Sequence, residues 1–366
     1  MMNKKCVGCG NYLSTDPNDL GYCLDISKFE LCKRCFQFKH YKKIDQKLTV
    51  KKADIENYLN SLVLDNYCVF YLVDPTNFIF DLEMIKRSMN ANQFYLIFNK
   101  IDYLAKKNNL SVIKSRLVDN FKDHGINFSP NQILFNSIYL TYDLRKIDRL
   151  MKKAYEKRKK AIFLGQSNVG KSSLINKLLK LNNIDKKLAL TTSPYLNTTL
   201  QINQIKRRDF CLLDTPGYLD QTNGFFDLVP RRIKRLVSYQ WKNPVTYQIT
   251  SNQIFYCEDF FKLKVYLKKD TTKTSITFYC PTALRIHRTS SKNEQSIDQK
   301  LTQIFSDLKT FSYLNNDQTN TYQITLNQDN LLVNGVCLIK FNKGIDKVEL
   351  YQKDKVHTYL LKTALI

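Results

Sequence analysis

No apolar run in this 366-residue sequence approaches the ~18–20 residues that a membrane-spanning helix needs. No membrane partner is expected. The first residues, Met1-Met2-Asn3-Lys4-Lys5-Cys6, lack the apolar core of a secretory signal, so a cytoplasmic location is expected. Thiols stay reduced there. Ten cysteines therefore argue against a disulfide framework and for metal ligands and buried thiols. No internal repeat or low-complexity linker is present. His287 and His357 have no acid or nucleophile pattern around them, so no hydrolase triad is expected. Acidic residues are scarce, 33 against 57 basic ones, giving a net charge of +24. That excess favours a polyanionic partner, a nucleic acid or an anionic surface. The plainer reading is a Lys- and Asn-rich coding bias with solvated lysines.

What is present suffices for two or three domains. Residues 1–44 hold five of the ten cysteines. Residues 45–222 alternate short apolar runs with helical patterns, as in a parallel α/β sheet. Residues 223–366 read as mostly β with one or two helices. In the middle zone, strands are expected at Tyr67–Val73, Phe94–Phe98, Ile133–Phe135, Lys160–Leu164 and Phe210–Leu213. Helices are expected at Leu144–Lys159 and Lys171–Leu181.

Four motifs sit at the carboxyl ends of these strands, where ligands bind in open parallel sheets. Gly165-Gln166-Ser167-Asn168-Val169-Gly170-Lys171-Ser172-Ser173 fits a phosphate-binding loop. Its backbone N–H groups would cradle phosphates, Lys171 would reach the β and γ phosphates, and Ser172 would hold Mg²⁺. Asn99-Lys100-Ile101-Asp102 fits guanine selection. The Asp102 carboxylate would accept two N–H donors that adenine does not offer. Asn99 would bridge to the base edge or the loop, and the Lys100 stem would cover the ring. Asn136-Ser137 is placed for a backbone contact to the guanine carbonyl, or is an ordinary strand-end turn. Asp214-Thr215-Pro216-Gly217 would hold Mg²⁺ through Asp214 and meet the γ phosphate with the Gly217 N–H. A threonine should complete the Mg²⁺ shell, Thr199 or its neighbour Thr198. Tyr218 stands after Gly217, where a water-positioning glutamine is commonly found. Hydrolysis is then slow, or another group supplies the missing stabilisation.

Cys6-x-x-Cys9 and Cys32-x-x-Cys35, with twenty-two residues between the pairs, can complete a tetrahedral Zn²⁺ site. Cys23 is a fifth thiol nearby in sequence. The module is either structural or presents Lys33, Arg34 and Lys39 to phosphates. The densest basic cluster is Arg231-Arg232-Ile233-Lys234-Arg235, a few residues after Gly217. Farther on, Gln253–Lys269 reads as an exposed strand pair and Glu294–Lys309 as an amphipathic helix.

The guanine motif precedes the phosphate loop. That permuted order, with a four-cysteine finger in front, resembles the circularly permuted GTPases of the YqeH type. The resemblance rests on the finger (with Phe36, His40 and Tyr41) and on the full nucleotide domain. It implies a permuted P-loop GTPase domain, GTP/GDP with Mg²⁺ and Zn²⁺, and an RNA-binding C-terminal part. It implies a monomer that acts on the small ribosomal subunit, its rRNA and ribosomal proteins. In similar GTPases an asparagine at the Asn168 place ligates K⁺, so K⁺-assisted hydrolysis is expected. The alternative is a non-hydrolysing, GTP-gated RNA-binding or scaffolding protein. Leu196-Asn197 stand where such GTPases usually have Pro-Gly.

Overall fold

A computed structural model describes residues 4, 6, 12–17, 19, 21–33, 35–36, 52–105, 109–137, 139, 143–183, 202–218, 220–237, 244–314, 319–325, 328–353 and 355–366. The chain forms two compact units. The first gathers residues 1–74, 81–101 and 131–220; the second gathers 75–80, 102–130 and 221–366.

The first unit is built on a six-stranded sheet. Its strands are β1 (Tyr67–Val73), β2 (Gln93–Phe98), β3 (Ile133–Phe135), β4 (Lys160–Leu164), β5 (Asn203–Lys206) and β6 (Cys211–Asp214), in the order β3-β2-β1-β4-β6-β5. All neighbours are parallel except β5, which is antiparallel to β6. β1 reads as an uninterrupted apolar run and six of its seven residues are buried, the pattern of a strand covered on both faces. Helices Leu144–Glu156 and Lys171–Leu181 supply Ile147, Met151, Leu174 and Leu178 to a core shared with Phe70, Phe163 and Leu212. Starting at β4, continuing through β6 and then taking β1 to β3 restores the usual order of a P-loop GTPase. The chain is cut between elements that ordinarily follow one another.

The second unit holds two antiparallel five-stranded sheets. One orders β16 (Thr358–Leu360), β13 (Gln328–Val333), β14 (Cys337–Asn342), β10 (Thr274–Tyr279) and β7 (Val245–Ile249). The other orders β11 (Ile286–Ser290), β8 (Gln253–Cys257), β9 (Phe261–Leu267), β15 (Ile345–Gln352) and β12 (Thr319–Gln323). Phe255 of one sheet lies 5.2 Å from the Tyr247 ring and 5.4 Å from the Phe278 ring of the other, so the inner faces meet through aromatics.

This partition differs from zones cut at 44 and 222. Residues 75–80 and 102–130 pack with the C-terminal strands because their side chains are buried there. Phe121 contacts Phe78 and Phe128 at ring distances of 6.0 and 4.9 Å. The Asn120 amide donates to the Thr363 carbonyl at 2.8 Å, and the Gly335 N–H donates to the Thr76 carbonyl.

Three local expectations change as well. β8 is wholly buried. Helix Glu294–Ile304, shorter than expected, lays Leu301 over Ile254 and Tyr256 together with Phe305 and Leu308. The Arg231–Arg235 cluster is not a free basic face. It lies on helix Pro230–Val237, and Arg232 and Arg235 both reach the fully buried Glu258, at 2.8 and 2.6 Å. Arg285 joins them at 3.0 Å. Asp259 and Asp307 complete the network. A buried carboxylate must be paired, and three guanidinium groups here do so.

Candidate functional site

β4 ends at Leu164 and the chain curls through 165–170 before the helix begins at Lys171. Gly170 sits at φ +99°, and a Cβ there would lie 2.3 Å from the Asn99 amide nitrogen. Only glycine fits both demands. The contact is structural: Asn99 Nδ2 donates to the Val169 carbonyl at 2.5 Å. Asn136 Nδ2 in turn donates to Asn99 Oδ1 at 2.7 Å. Asn99 thus braces the 165–170 loop from the end of β2, and Asn136 after β3 braces Asn99. Asn168 takes a left-handed conformation, φ +64°, and its amide Nδ2 is buried without a hydrogen-bond partner among the described residues.

Lys171 is almost fully buried. Its Nζ donates to the Gly165 and Gln166 carbonyls at 2.7 and 2.8 Å. Burial pushes its pKa down to about 8, against the pull of Asp214 and Asp81. Asp214 ends β6, fully buried. Burial raises its pKa to about 6, opposed by Lys171 and Ser172. Ser172 Oγ donates to Asp214 Oδ2 at 3.0 Å, while Asp214 Oδ1 has no partner among the described residues. A hydroxyl and a half-satisfied buried carboxylate are hard oxygen donors suited to a divalent cation such as Mg²⁺. Ser167 and Ser173 flank this pair, both partly exposed.

Gly217 packs so closely on the loop that a Cβ would stand 2.7 Å from Ser167 Cα and 2.9 Å from Lys171 Nζ. The Ser167 N–H donates to the Tyr218 carbonyl at 2.7 Å. The Tyr218 ring turns inward: its hydroxyl donates to Asp81 and lies 2.9 Å from the Tyr71 hydroxyl. Tyr71 also donates to Asp81. Tyr218 therefore anchors the segment to the core. Sequence reasoning missed Tyr71 and Asp81, and the only signal was that an aromatic replaces the usual polar residue at 218.

Lys100, at φ +55°, reaches Asp74 Oδ2 at 2.8 Å. Asp102 opens a one-turn helix, Asp102–Ala105, and its Oδ1 is buried without a hydrogen-bond partner among the described residues. Ser137 is buried; its hydroxyl accepts the Tyr139 N–H at 3.0 Å and its carbonyl accepts Lys177 Nζ at 2.8 Å. Thr198 and Thr199 lie outside the described residues.

In the N-terminal segment the thiols of Cys6, Cys32 and Cys35 lie within 4.8 Å of one another. The Cys32 N–H donates to Cys6 Sγ at 3.2 Å and the Cys35 N–H to Cys32 Sγ at 3.4 Å, a turn geometry that suits thiolates converging on a metal. Cys9 lies outside the described residues. Cys23 is buried with this cluster but is not one of the three converging thiols. No helix among the described residues is long and apolar enough to cross a membrane.

Residues 160–253 match the family described as 50S ribosome-binding GTPase. The chain is 26% identical to the protein YqeH of Bacillus subtilis (strain 168) over 378 residues, covering 98% of this chain and 99% of that one. It is 26% identical to NO-associated protein 1, chloroplastic/mitochondrial, of Arabidopsis thaliana, covering 81% of this chain and 60% of that protein. GTPase Der of Karelsulcia muelleri (strain GWSS) is 30% identical over 178 residues, 47% of this chain and 39% of its own.

Proposed function

Since this chain is a circularly permuted P-loop GTPase of the YqeH type, we propose that it is an assembly factor of the small ribosomal subunit. It binds GTP with Mg²⁺, docks on rRNA in the GTP form and leaves after hydrolysis. One observation carries the nucleotide part. Of the buried oxygens without a hydrogen-bond partner among the described residues, Asp102 Oδ1 and Asp214 Oδ1 belong to the motifs that a guanine edge and a magnesium ion would satisfy, and buried polar atoms rarely stay unpaired.

Each residue then has a task. Asp102 selects guanine, and Asn99 holds the loop that the phosphates enter. Lys171 exchanges loop carbonyls for phosphate oxygens, and the Gly217 N–H meets the γ phosphate. Ser172 and Asp214, with Thr199, hold Mg²⁺, which supplies charge neutralisation. Cys6, Cys9, Cys32 and Cys35 hold Zn²⁺, whose role is to fold the N-terminal segment. With Tyr218 buried, no side chain at that position orients the attacking water, so hydrolysis is slow alone. Asn168 would hold K⁺ as the supplementary charge.

The test is crosslinking of the full chain to RNA in cells, with and without Lys171→Ala. Small-subunit rRNA should be recovered with the unaltered protein and reduced with the variant. Recovery of no rRNA, or only of large-subunit rRNA, overturns the reading. Equal hydrolysis rates in K⁺ and Na⁺ would remove the role given to Asn168.

A further inference from the structure

The outer face of helix Leu144–Glu156 takes no part in the nucleotide site. Its inner residues Leu144, Ile147, Met151 and Ala154 are buried in the core. Arg145, Arg149 and Lys153 are exposed and recur every four residues, about 6 Å apart along the axis. Exposed Lys157 and Arg158 continue the row, and exposed Lys160 opens β4.

A second basic element meets this one. β4, β6 and β5 are neighbours, and Lys206 pairs with Cys211 at the end of β6 where β4 begins. Burial pushes the Cys211 thiol up, and the charges of both Lys160 and Lys206 pull against it. The two lysines therefore share one sheet end. Arg208 is exposed in the turn that follows. Lys152 ties the helix to that turn, 3.2 Å from Asp209 and 3.2 Å from Asp148.

Two facts argue that stability does not account for the charge. The helix's first turn carries Arg145 and Lys146 and no acidic residue, where the helix dipole disfavours cations. Among the described residues, Lys152 is the only basic residue of 144–160 in an ion pair. Location adds a third. Lys160, Lys206 and Arg208 lie at the end where β4 and β6 begin, whereas Gly165 and Asp214 follow or close their far ends, about 16 Å away for a five-residue strand.

We propose that this face, from Arg145 to Arg158 with Lys160, Lys206 and Arg208, docks the phosphate backbone of RNA without reading its bases. The inference rests on the reading above that RNA is a partner. It moves the main contact from the Arg231–Arg235 cluster to the nucleotide-binding unit. Charge complementarity supports it, since phosphate contacts from a basic face need no fixed sequence. An anionic membrane fits less well. A surface-bound amphipathic helix inserts its apolar face, and this helix has already buried that face in its own core.

The experiment uses the full chain with Arg145, Arg149, Lys153 and Arg158 all changed to Gln. Binding to purified ribosomal RNA is measured over a salt series, alongside GTP affinity. The expected result is rRNA binding weakened at least ~10-fold near 0.1 M salt and a log–log salt slope shallower by about 3, at 0.7–0.9 per lost phosphate contact. GTP affinity is unchanged. Equal rRNA affinity and slope in variant and parent overturn the inference and leave the RNA reading standing. So does a loss seen only with Arg231→Gln and Lys234→Gln. No rRNA binding by the parent chain defeats the RNA reading itself. Binding by the parent to phosphatidylcholine–phosphatidylserine vesicles, without rRNA binding, defeats both. If the quadruple variant loses GTP binding, the single variants Arg145→Gln and Arg149→Gln decide the matter, each with a slope shallower by about 1.

Discussion

The Tyr218 hydroxyl donates to the Asp81 carboxylate, with Tyr218 1% and Asp81 2% exposed. Tyr218 follows Gly217 directly, and its carbonyl accepts the Ser167 N–H of the phosphate loop. One residue thus ties the segment after β6 both to the core and to the loop. Tyr218→Phe leaves a buried carboxylate one donor short. It should destabilise the first unit by about 1–3 kcal/mol and lower the preference for GTP over GDP. Tyr71→Phe removes a donor from the same carboxylate outside the switch segment, and should lower stability without changing that preference. Thermal unfolding and paired GTP and GDP titrations distinguish the two. An unchanged GTP/GDP ratio in Tyr218→Phe would contradict the anchoring role.

Nucleotide affinity should have a two-sided pH dependence. Asp214 would hold a divalent cation only as a carboxylate, and burial has raised its pKa to about 6. Affinity in Mg²⁺ should therefore fall as pH drops below about 6. Lys171 serves phosphate only as an ammonium, and burial has lowered its pKa to about 8. Affinity should fall again as pH rises above about 8. Each limb is at most about tenfold per pH unit for a single proton. Fluorescent-GTP titrations from acid to alkaline pH, with and without Mg²⁺, test this. The acid limb should shrink without the metal, and its persistence at full depth would exclude Asp214 as its source.

The proposed base selection rests on one carboxylate, Asp102. Asp102→Asn replaces an acceptor-only oxygen pair with one donor and one acceptor. Affinity for GTP should fall by at least ~100-fold, as expected when a buried hydrogen-bonding pair is mismatched, while xanthosine triphosphate gains. Competition between the two nucleotides reads the effect directly. Retained GTP preference would place the selecting group elsewhere.

The N-terminal thiols should bind one metal per chain. Purified protein is expected to contain zinc at unit stoichiometry, and Cys32→Ser to abolish it. Chelation should expose the N-terminal segment to protease while GTP binding persists, because metal binding supplies the folding energy of so short a segment. Elemental analysis with limited proteolysis is the check. Full zinc retention in Cys32→Ser would remove Cys32 from the ligand set.

Glu258 is a buried carboxylate shared by three arginines of the second unit. Glu258→Gln removes its negative charge from Arg232, Arg235 and Arg285. A loss of about 3–5 kcal/mol is expected, the range for breaking a buried ion pair. Chemical denaturation followed by the fluorescence of aromatic residues in that unit measures it. A loss below ~1 kcal/mol would mean that Asp259 and Asp307 carry the arginines alone.

Much of the first unit was legible in the sequence. Strands β1, β3 and β4 and helix Lys171–Leu181 fall where apolar runs and motif spacing place them. Buried parallel strands are continuous apolar runs, and a phosphate loop needs glycines at fixed offsets. Both are local requirements, written in adjacent residues. Asn99, Lys171, Ser172, Asp214 and Gly217, each part of a short motif, are brought around one loop.

Relations between distant residues were decided by the tertiary structure. Asn99 was expected to touch the base edge or the loop, and packing against Val169 seventy residues on gives it the loop. The Tyr71–Asp81–Tyr218 cluster joins β1, the start of a helix and the segment after β6, with no spacing to reveal it. The Arg231–Arg235 cluster looked free because charge is counted along the chain, whereas its partner Glu258 arrives from a turn between two strands. Helix Leu144–Glu156 shows the converse. Its charge was plain in the sequence, but only the fold shows that its apolar face is sealed in the core and that its cations line up with Lys160 and Lys206. Local chemistry determines which groups a segment carries. Packing alone determines which of them are satisfied and which remain to meet a partner.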